Sequence, residues 1–264
     1  MRSSASSAAD AGELRPPNAA AFAPCAIIPV YNHERAVGRV LAGVRAAELP
    51  CFLVDDGSSP RCAAELERLA RAVPGTELLR LARNGGKGGA VIVGFTKAAE
   101  RGFTHALQID ADGQHCLTDI PRFVAAARAA PAALVCGRPL FDASMPAVRR
   151  YGRYLTHGLV WLQTLSFAIP DSLCGFRVYP LGAVMQVLAS EHVGARMEFD
   201  VEIIVRLYRR GVPLEWLDTR VTYPLDGVSH FRLLRDNARM VALQLRLGAG
   251  LVRRLPALLR RKWT

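Results

Sequence analysis

Short apolar runs alternate with amphipathic stretches along the first half of the chain. Residues 25–30 (Cys-Ala-Ile-Ile-Pro-Val), 51–54, 77–81, 105–109 and 132–136 have strand length and lack a regular polar face. Between them, residues 36–47, 65–72, 88–101 and 120–130 carry apolar positions at helical spacing. Strands apolar on both faces, joined by helices, predict an α/β fold: a Rossmann-like, mostly parallel sheet flanked by helices. The second half is less regular. Residues 148–168 and 199–210 read as helix, 173–179 and 212–221 as extended, and 233–259 as helix with Pro256 as a late break.

This pattern divides the chain into a tail over 1–23, rich in Ser, Ala and Pro and expected to be disordered, a domain over 24–232, and a basic amphipathic C-terminal helix over 233–264. Of the 264 residues, 51% are hydrophobic and 22% charged, enough apolar mass for a packed core. The net charge of +11 favours an acidic partner: nucleic acid, an anionic membrane or a phosphorylated substrate. Basic residues do not interleave with an aromatic platform and no nucleic-acid-binding motif is present, so nucleic acid is not expected. The six cysteines show no C-x2-C spacing and no disulfide framework, as suits buried thiols in a reducing compartment. There is no apolar run of spanning length and no apolar signal region near Arg2, so a cytoplasmic location is expected.

The polar residues that follow the strands carry the chemistry. Four apolar runs lead into Pro29-Val-Tyr-Asn-His-Glu34, Asp55-Asp-Gly-Ser58, Asn84-Gly-Gly-Lys-Gly-Gly89 and Asp110-Ala-Asp-Gly-Gln-His115. In an open parallel sheet these ends converge on one edge, where ligands bind. Asp110 and Asp112 share a face if the chain stays extended, and two neighbouring carboxylates call for a compensating cation. Hard oxygens suit Mg²⁺ or Mn²⁺, and Gln114 adds a neutral oxygen. Asp55 and Asp56 suit either a plain Asp-Gly turn or acceptance of a hydrogen bond from a nucleobase or ribose. The 84–89 loop fits neither the P-loop nor the G-x-G-x-x-G pattern, but its backbone N–H groups and Lys87 can meet an anion.

This ordered set resembles the family 2 glycosyltransferases of GT-A fold, in the polyprenol-phosphate (dolichyl-phosphate mannose synthase-like) branch, over roughly residues 25–235. Cys174-Gly-Phe-Arg177 and Ser229-His230 are weaker matches. The resemblance implies a nucleotide-sugar donor whose base and ribose meet Pro29, Tyr31 and Asp55, with Asp56 close by. It places Lys87 near the nucleotide, Asp110, Asp112 and Gln114 on a Mg²⁺ or Mn²⁺ ion, and Arg138 toward a donor or acceptor phosphate. One departure is His33, with Glu34 next, where the branch usually has Glu directly after Tyr-Asn.

The implied reaction is inverting transfer of a sugar to a lipid-linked acceptor such as a polyprenyl phosphate. A phosphate acceptor needs no base; a hydroxyl of a specialised lipid or soluble acceptor does. Asp200, in Glu198-Phe-Asp200, is the candidate base, with Asp171 behind it. A catalytically silent sugar-nucleotide-binding protein is the alternative from another class. Arg232, Arg239, Arg246, Arg253 and Arg260 recur every seven residues among Leu, Val and Met. On a helix they form a drifting basic stripe, expected to lie peripherally on the inner face of an anionic membrane.

Overall fold

The computed structural model describes residue 14 and residues 22–141, 147–222 and 233–260. Ser229-His230, Arg232 and most of the tail lie outside the described residues. Phe22 and Ala23 are already packed: the Phe22 ring lies 4.5 Å from that of His105, and Arg128 sits over its other side.

Seven strands form one sheet: β1 (Pro24–Val30), β2 (Cys51–Asp55), β3 (Thr76–Arg80), β4 (His105–Gln108), β5 (Leu134–Phe141), β6 (Arg177–Pro180) and β7 (Leu214–Val221), in the order β3-β2-β1-β4-β6-β5-β7. All pairings are parallel except those of β6, which runs antiparallel between β4 and β5. The expected α/β class holds. β5 runs five residues past its expected end because its second half pairs with β7 through Pro139↔Thr219 and Phe141↔Val221.

The helices are α1 (Val37–Ala46), α2 (Pro60–Ala72), α3 (Lys87–Glu100), α4 (Ile120–Ala129), α5 (Ala147–Thr164), α6 (Leu181–Ser190), α7 (Phe199–Arg209) and α8 (Leu233–Arg260). Helix α2 starts five residues before its apolar pattern: Pro60 takes the first position and the Ser59 hydroxyl accepts from Cys62 N–H. Helix α6 is absent from the sequence reading, since its Leu-Gly-Ala-Val-Met run has no polar face to reveal a period. Helix α8 continues through Pro256 without the expected break.

Two cores cover the sheet. One contains Val37, Leu41, Leu66, Ile120 and Phe123 of α1, α2 and α4. The other contains Val91, Phe95, Val184 and Leu207 of α3, α6 and α7, together with Leu243 and Leu247 of α8. All six cysteines are free and five are buried.

Helix α8 docks through its polar residues as well. Arg246 donates to fully buried Glu202 of α7 at 2.6 Å, and Glu202 also accepts from Arg206 and from Gly194 N–H. Of the five arginines of the expected basic stripe, Arg246 makes this contact while 41% exposed, and the side chains of Arg232, Arg253 and Arg260 lie outside the described residues. Val241 and Leu245 of α8 are exposed. Among the described residues, no helix is long and apolar enough to cross a membrane.

Candidate active site

β1 and β4 are neighbours whose chain connections leave in opposite directions, so a crevice opens at their carboxyl ends. The loops after β1 and β2 interlock there. Asn32, with φ 55°, accepts from Ser59 N–H at 2.7 Å, and its own N–H donates to the Ser58 hydroxyl. Buried Pro29 pairs with Val54 across these strands, and half-buried Tyr31 follows directly. Asp55 is buried and accepts from Ser58 N–H at 2.9 Å and from Arg80 at 3.1 Å. Both its oxygens hold local structure.

Asp56 fastens the glycine loop to the end of β2. Its carboxylate accepts from Gly85 N–H at 2.6 Å and from Gly86 N–H at 2.9 Å. Burial pushes its carboxyl up, against the pull of these two N–H groups. Gly86 has φ 95°, and a Cβ there would stand 2.7 Å from the Ala195 carbonyl, so glycine is required on both counts. Gly89 N–H donates to Ala195 O, and Arg196 donates to Asn84 Oδ1 at 2.9 Å. Three of the loop's N–H groups, at Gly85, Gly86 and Gly89, are thus spent within the protein. What the loop delivers is Lys87, at the first turn of α3.

Lys87 Nζ lies 2.7 and 2.9 Å from the two Asp110 oxygens and 2.8 Å from Asp200 Oδ2. Burial lowers the Lys87 pKa, but Asp110 and Asp200 outweigh it and raise the group overall. Burial raises Asp110, and Lys87 with His115 outweighs that, holding its carboxyl well below the usual range. Asp112 moves the other way, raised by burial and then by Asp110. His115 Nε2 stands 3.8 Å from Asp110 Oδ2.

Asp110, Asp112, Gln114 and His115 line a cavity of about 80 Å³, together with Arg153, Gly175 and Phe141. Gly175 closes over the ion pair: a Cβ there would lie 2.6 Å from Lys87 Nζ. Arg153 of α5 donates to Asp171 Oδ2 at 2.6 Å, and Asp171 Oδ1 accepts from Leu173 and Cys174 N–H. This carboxylate thus orients both the arginine and the segment leading to Gly175.

The structure brings together Asp110, Asp112, Gln114 and Lys87, with Pro29, Tyr31, Asp55 and Asp56 along the adjoining loops. It does not bring Arg138 there. That side chain is exposed on β5 and makes a two-point pair with Asp218 of β7, while the next residue, Pro139, faces the cavity. Asp200 does not line the cavity either. Its side chain is 4% exposed, one oxygen on Lys87 and the other accepting from Gln108 at 2.9 Å. A carboxylate so engaged positions a lysine; it has no free oxygen for an acceptor proton. The sequence reading missed Arg153, whose only signal is a basic residue within an amphipathic helix, and Arg196, which has none.

Two carboxylates and an amide side chain lining one cavity, with Asp112 raised by burial and then by Asp110, fit a hard divalent cation. Among the described residues no group of three or more His, Cys, Asp or Glu is arranged for a metal. A two-carboxylate site leaves the remaining positions to water and phosphate oxygens, as Mg²⁺ commonly does.

Comparison with known proteins agrees with this geometry. The chain is 34% identical over 106 residues to undecaprenyl-phosphate mannosyltransferase of Micrococcus luteus, covering 39% of this chain and 44% of that protein. It is 30% identical over 173 residues to dolichyl-phosphate beta-glucosyltransferase of Dictyostelium discoideum, covering 62% and 52%. The match thus spans about half the length of these relatives. Among solved structures, glucosyl-3-phosphoglycerate synthase of M. tuberculosis superposes with TM-score 0.62 at 14% identity, over 89% of this chain and 81% of that one. A mannosyltransferase from Pyrobaculum calidifontis, solved with GDP-Man and Mn²⁺, gives TM-score 0.56 at 16% identity, over 81% and 59%. These two share the fold. Residues 25–183 match the model of Glycosyl transferase family 2, and the chain belongs to that family.

Proposed function

We propose that the chain is a metal-dependent, inverting glycosyltransferase that moves a sugar from a nucleotide sugar to a polyprenyl phosphate at a membrane surface. The observation that carries this reading is that Asp110, Asp112 and Arg153 line one small cavity at the sheet's crevice. The carboxylates suit a divalent ion, and the guanidinium suits an acceptor phosphate. When bound, Mg²⁺ or Mn²⁺ neutralises charge on the departing diphosphate. The protein's own residues position: Asp56 fixes the glycine loop, Lys87 supplies a cation, and Asp171 aims Arg153. Pro29, Tyr31 and Asp55, at and just beyond the carboxyl ends of β1 and β2, are assigned on this reading to the base and ribose of the donor.

A phosphate acceptor is already anionic and needs no base. That agrees with Asp200 and Asp171 both being tied to cations. Relatives named for undecaprenyl-phosphate and dolichyl-phosphate acceptors support the same choice.

The membrane contact belongs to α5 and α8 together. Tyr154, Leu155 and Leu162 of α5, Phe167 beyond it, and Val241 and Leu245 of α8 are large apolar side chains facing water, with Leu155 70% and Leu245 71% exposed. Gln163 and Gln244, next in sequence to Leu162 and Leu245, touch each other. From Leu233 onward the chain has one acid, Asp236, against many Arg, so the charge favours an anionic lipid surface on the cytoplasmic face.

The test is transfer to undecaprenyl phosphate in liposomes from a panel of UDP- and GDP-sugars with Mn²⁺. Asp112→Asn should abolish transfer, and Leu155→Glu with Leu245→Glu should release the protein from anionic vesicles. Failure of every donor to transfer or to raise Tm with Mn²⁺ would overturn the enzyme reading.

A further inference from the structure

The ammonium of Lys87 sits on both oxygens of a carboxylate assigned to the metal, which a plain structural ion pair does not require. Asp200 alone would balance the charge of a buried lysine: its side chain is 4% exposed, lies 2.8 Å from Nζ, and is steadied by the Gln108 amide. Asp110 instead stands on the cavity wall, one quarter exposed. Lys87 has little freedom to turn to solvent. Its stem rises from the first turn of α3, and the Gly175 backbone closes over Nζ.

We propose that Lys87 is a built-in competitor for the metal. Its ammonium occupies Asp110 until a diphosphate draws it away, which makes divalent-cation binding conditional on the nucleotide. The inference rests on Asp110 and Asp112 being metal ligands. A dication approaching Asp110 alone meets a positive charge already seated on its ligand oxygens. A nucleoside diphosphate brings oxygens to which Nζ can transfer while Asp200 keeps hold of it. Asp110 is then released to the cation. By linkage, the cation must strengthen nucleotide binding by the same factor.

The measurement is Mn²⁺ binding to the full chain by calorimetry, without nucleotide and with UDP or GDP, with Tm as a second readout. The wild type should bind Mn²⁺ roughly 5–150-fold more tightly when the matching nucleotide is present. The informative variant is Lys87→Met with Asp200→Asn, which removes one positive and one negative charge and leaves an acceptor for Gln108. It should bind Mn²⁺ alone about tenfold or more tighter than the wild type, and Mn²⁺ alone should then raise its Tm. Should that pair of changes prevent folding, Lys87→Gln keeps a hydrogen bond to Asp200 and gives the same readout. Mn²⁺ affinity no higher than wild type in the variant that folds overturns the proposal while leaving the metal reading intact. No Mn²⁺ uptake by any form, even with UDP or GDP, overturns both.

Discussion

Alanine at position 175 is the most searching single perturbation of the site. The added Cβ would stand 2.6 Å from Lys87 Nζ and 2.9 and 3.1 Å from the Asp110 oxygens. Comfortable non-bonded contacts are about 3.5–4.0 Å, so the methyl intrudes by about 0.9 Å at the closest point. Gly175 is outside the left-handed region, so the substitution adds no backbone strain. Relief comes in one of two ways. Lys87 can leave Asp110, or the loop can back away and loosen Phe176, which stacks on Phe123 at 4.2 Å and whose carbonyl accepts from Gly137 N–H. Overpacking of this kind costs about 1–3 kcal/mol. The strain falls on the ligand-free chain, so it should lower stability in urea by about 1–3 kcal/mol. Calorimetry then reads the route of relief: Mn²⁺ alone binds more tightly than to the wild type where Lys87 is the group that moves, and the nucleotide sugar with Mn²⁺ binds more weakly where the loop moves. Wild-type stability together with wild-type affinity in Gly175→Ala would refute the argument that this glycine is kept for clearance over the ion pair.

Other outcomes follow from the same geometry. Glu202→Ala leaves the buried Gly194 N–H without its acceptor, while Arg206 keeps Glu191, and should cost about 1–3 kcal/mol in urea unfolding. Arg246→Ala, whose side chain is 41% exposed, should cost about 1 kcal/mol or less; equal losses would contradict this ranking. Arg153→Ala should lower transfer by roughly tenfold or more while Arg138→Ala leaves it within about twofold, and the reverse order in a steady-state assay would move the acceptor site to β5. His105 and His157 both have pKa values lowered chiefly by burial from an ordinary 6.5. The unfolded chain therefore binds protons that the folded one refuses. Stability should be free of this penalty above pH 6.5 and fall as pH drops below it. His105→Gln should flatten that slope between pH 7 and 5, and an unchanged slope would remove His105 from the account.

The first four strands were legible because each is an apolar run that ends abruptly in polar residues, and that abruptness also marked Asp56, Asp110 and Asp112. What Lys87 touches was not legible. Gln108 and Asp200 are 92 residues apart and meet only because α7 packs beside the end of β4. The direction of β6 was equally hidden, since Arg-Val-Tyr-Pro reads the same in a parallel or an antiparallel place. The seven-residue recurrence of arginine in α8 was visible, but a period does not say which side docks. Glu202 ties Arg246, itself 41% exposed, to α7. Arg138 followed a strand and a glycine as the resemblance required, and the pairing of β5 with β7 gave it Asp218 instead.

The reversed strand has an architectural consequence. β5 leaves the sheet at Phe141 and β6 re-enters at Arg177 on the same edge, beside the end of β4. The described part of the intervening chain, with α5 and Arg153, thus belongs to an excursion whose two ends lie at one rim. Such a segment can lengthen, shorten or be exchanged as a cassette without shifting the register of the strands that carry Asp56 and Asp110. On the proposed function, the residues that meet the acceptor and those that hold the donor lie on different segments of the chain, which come together at the cavity where Gly175 rests on Lys87.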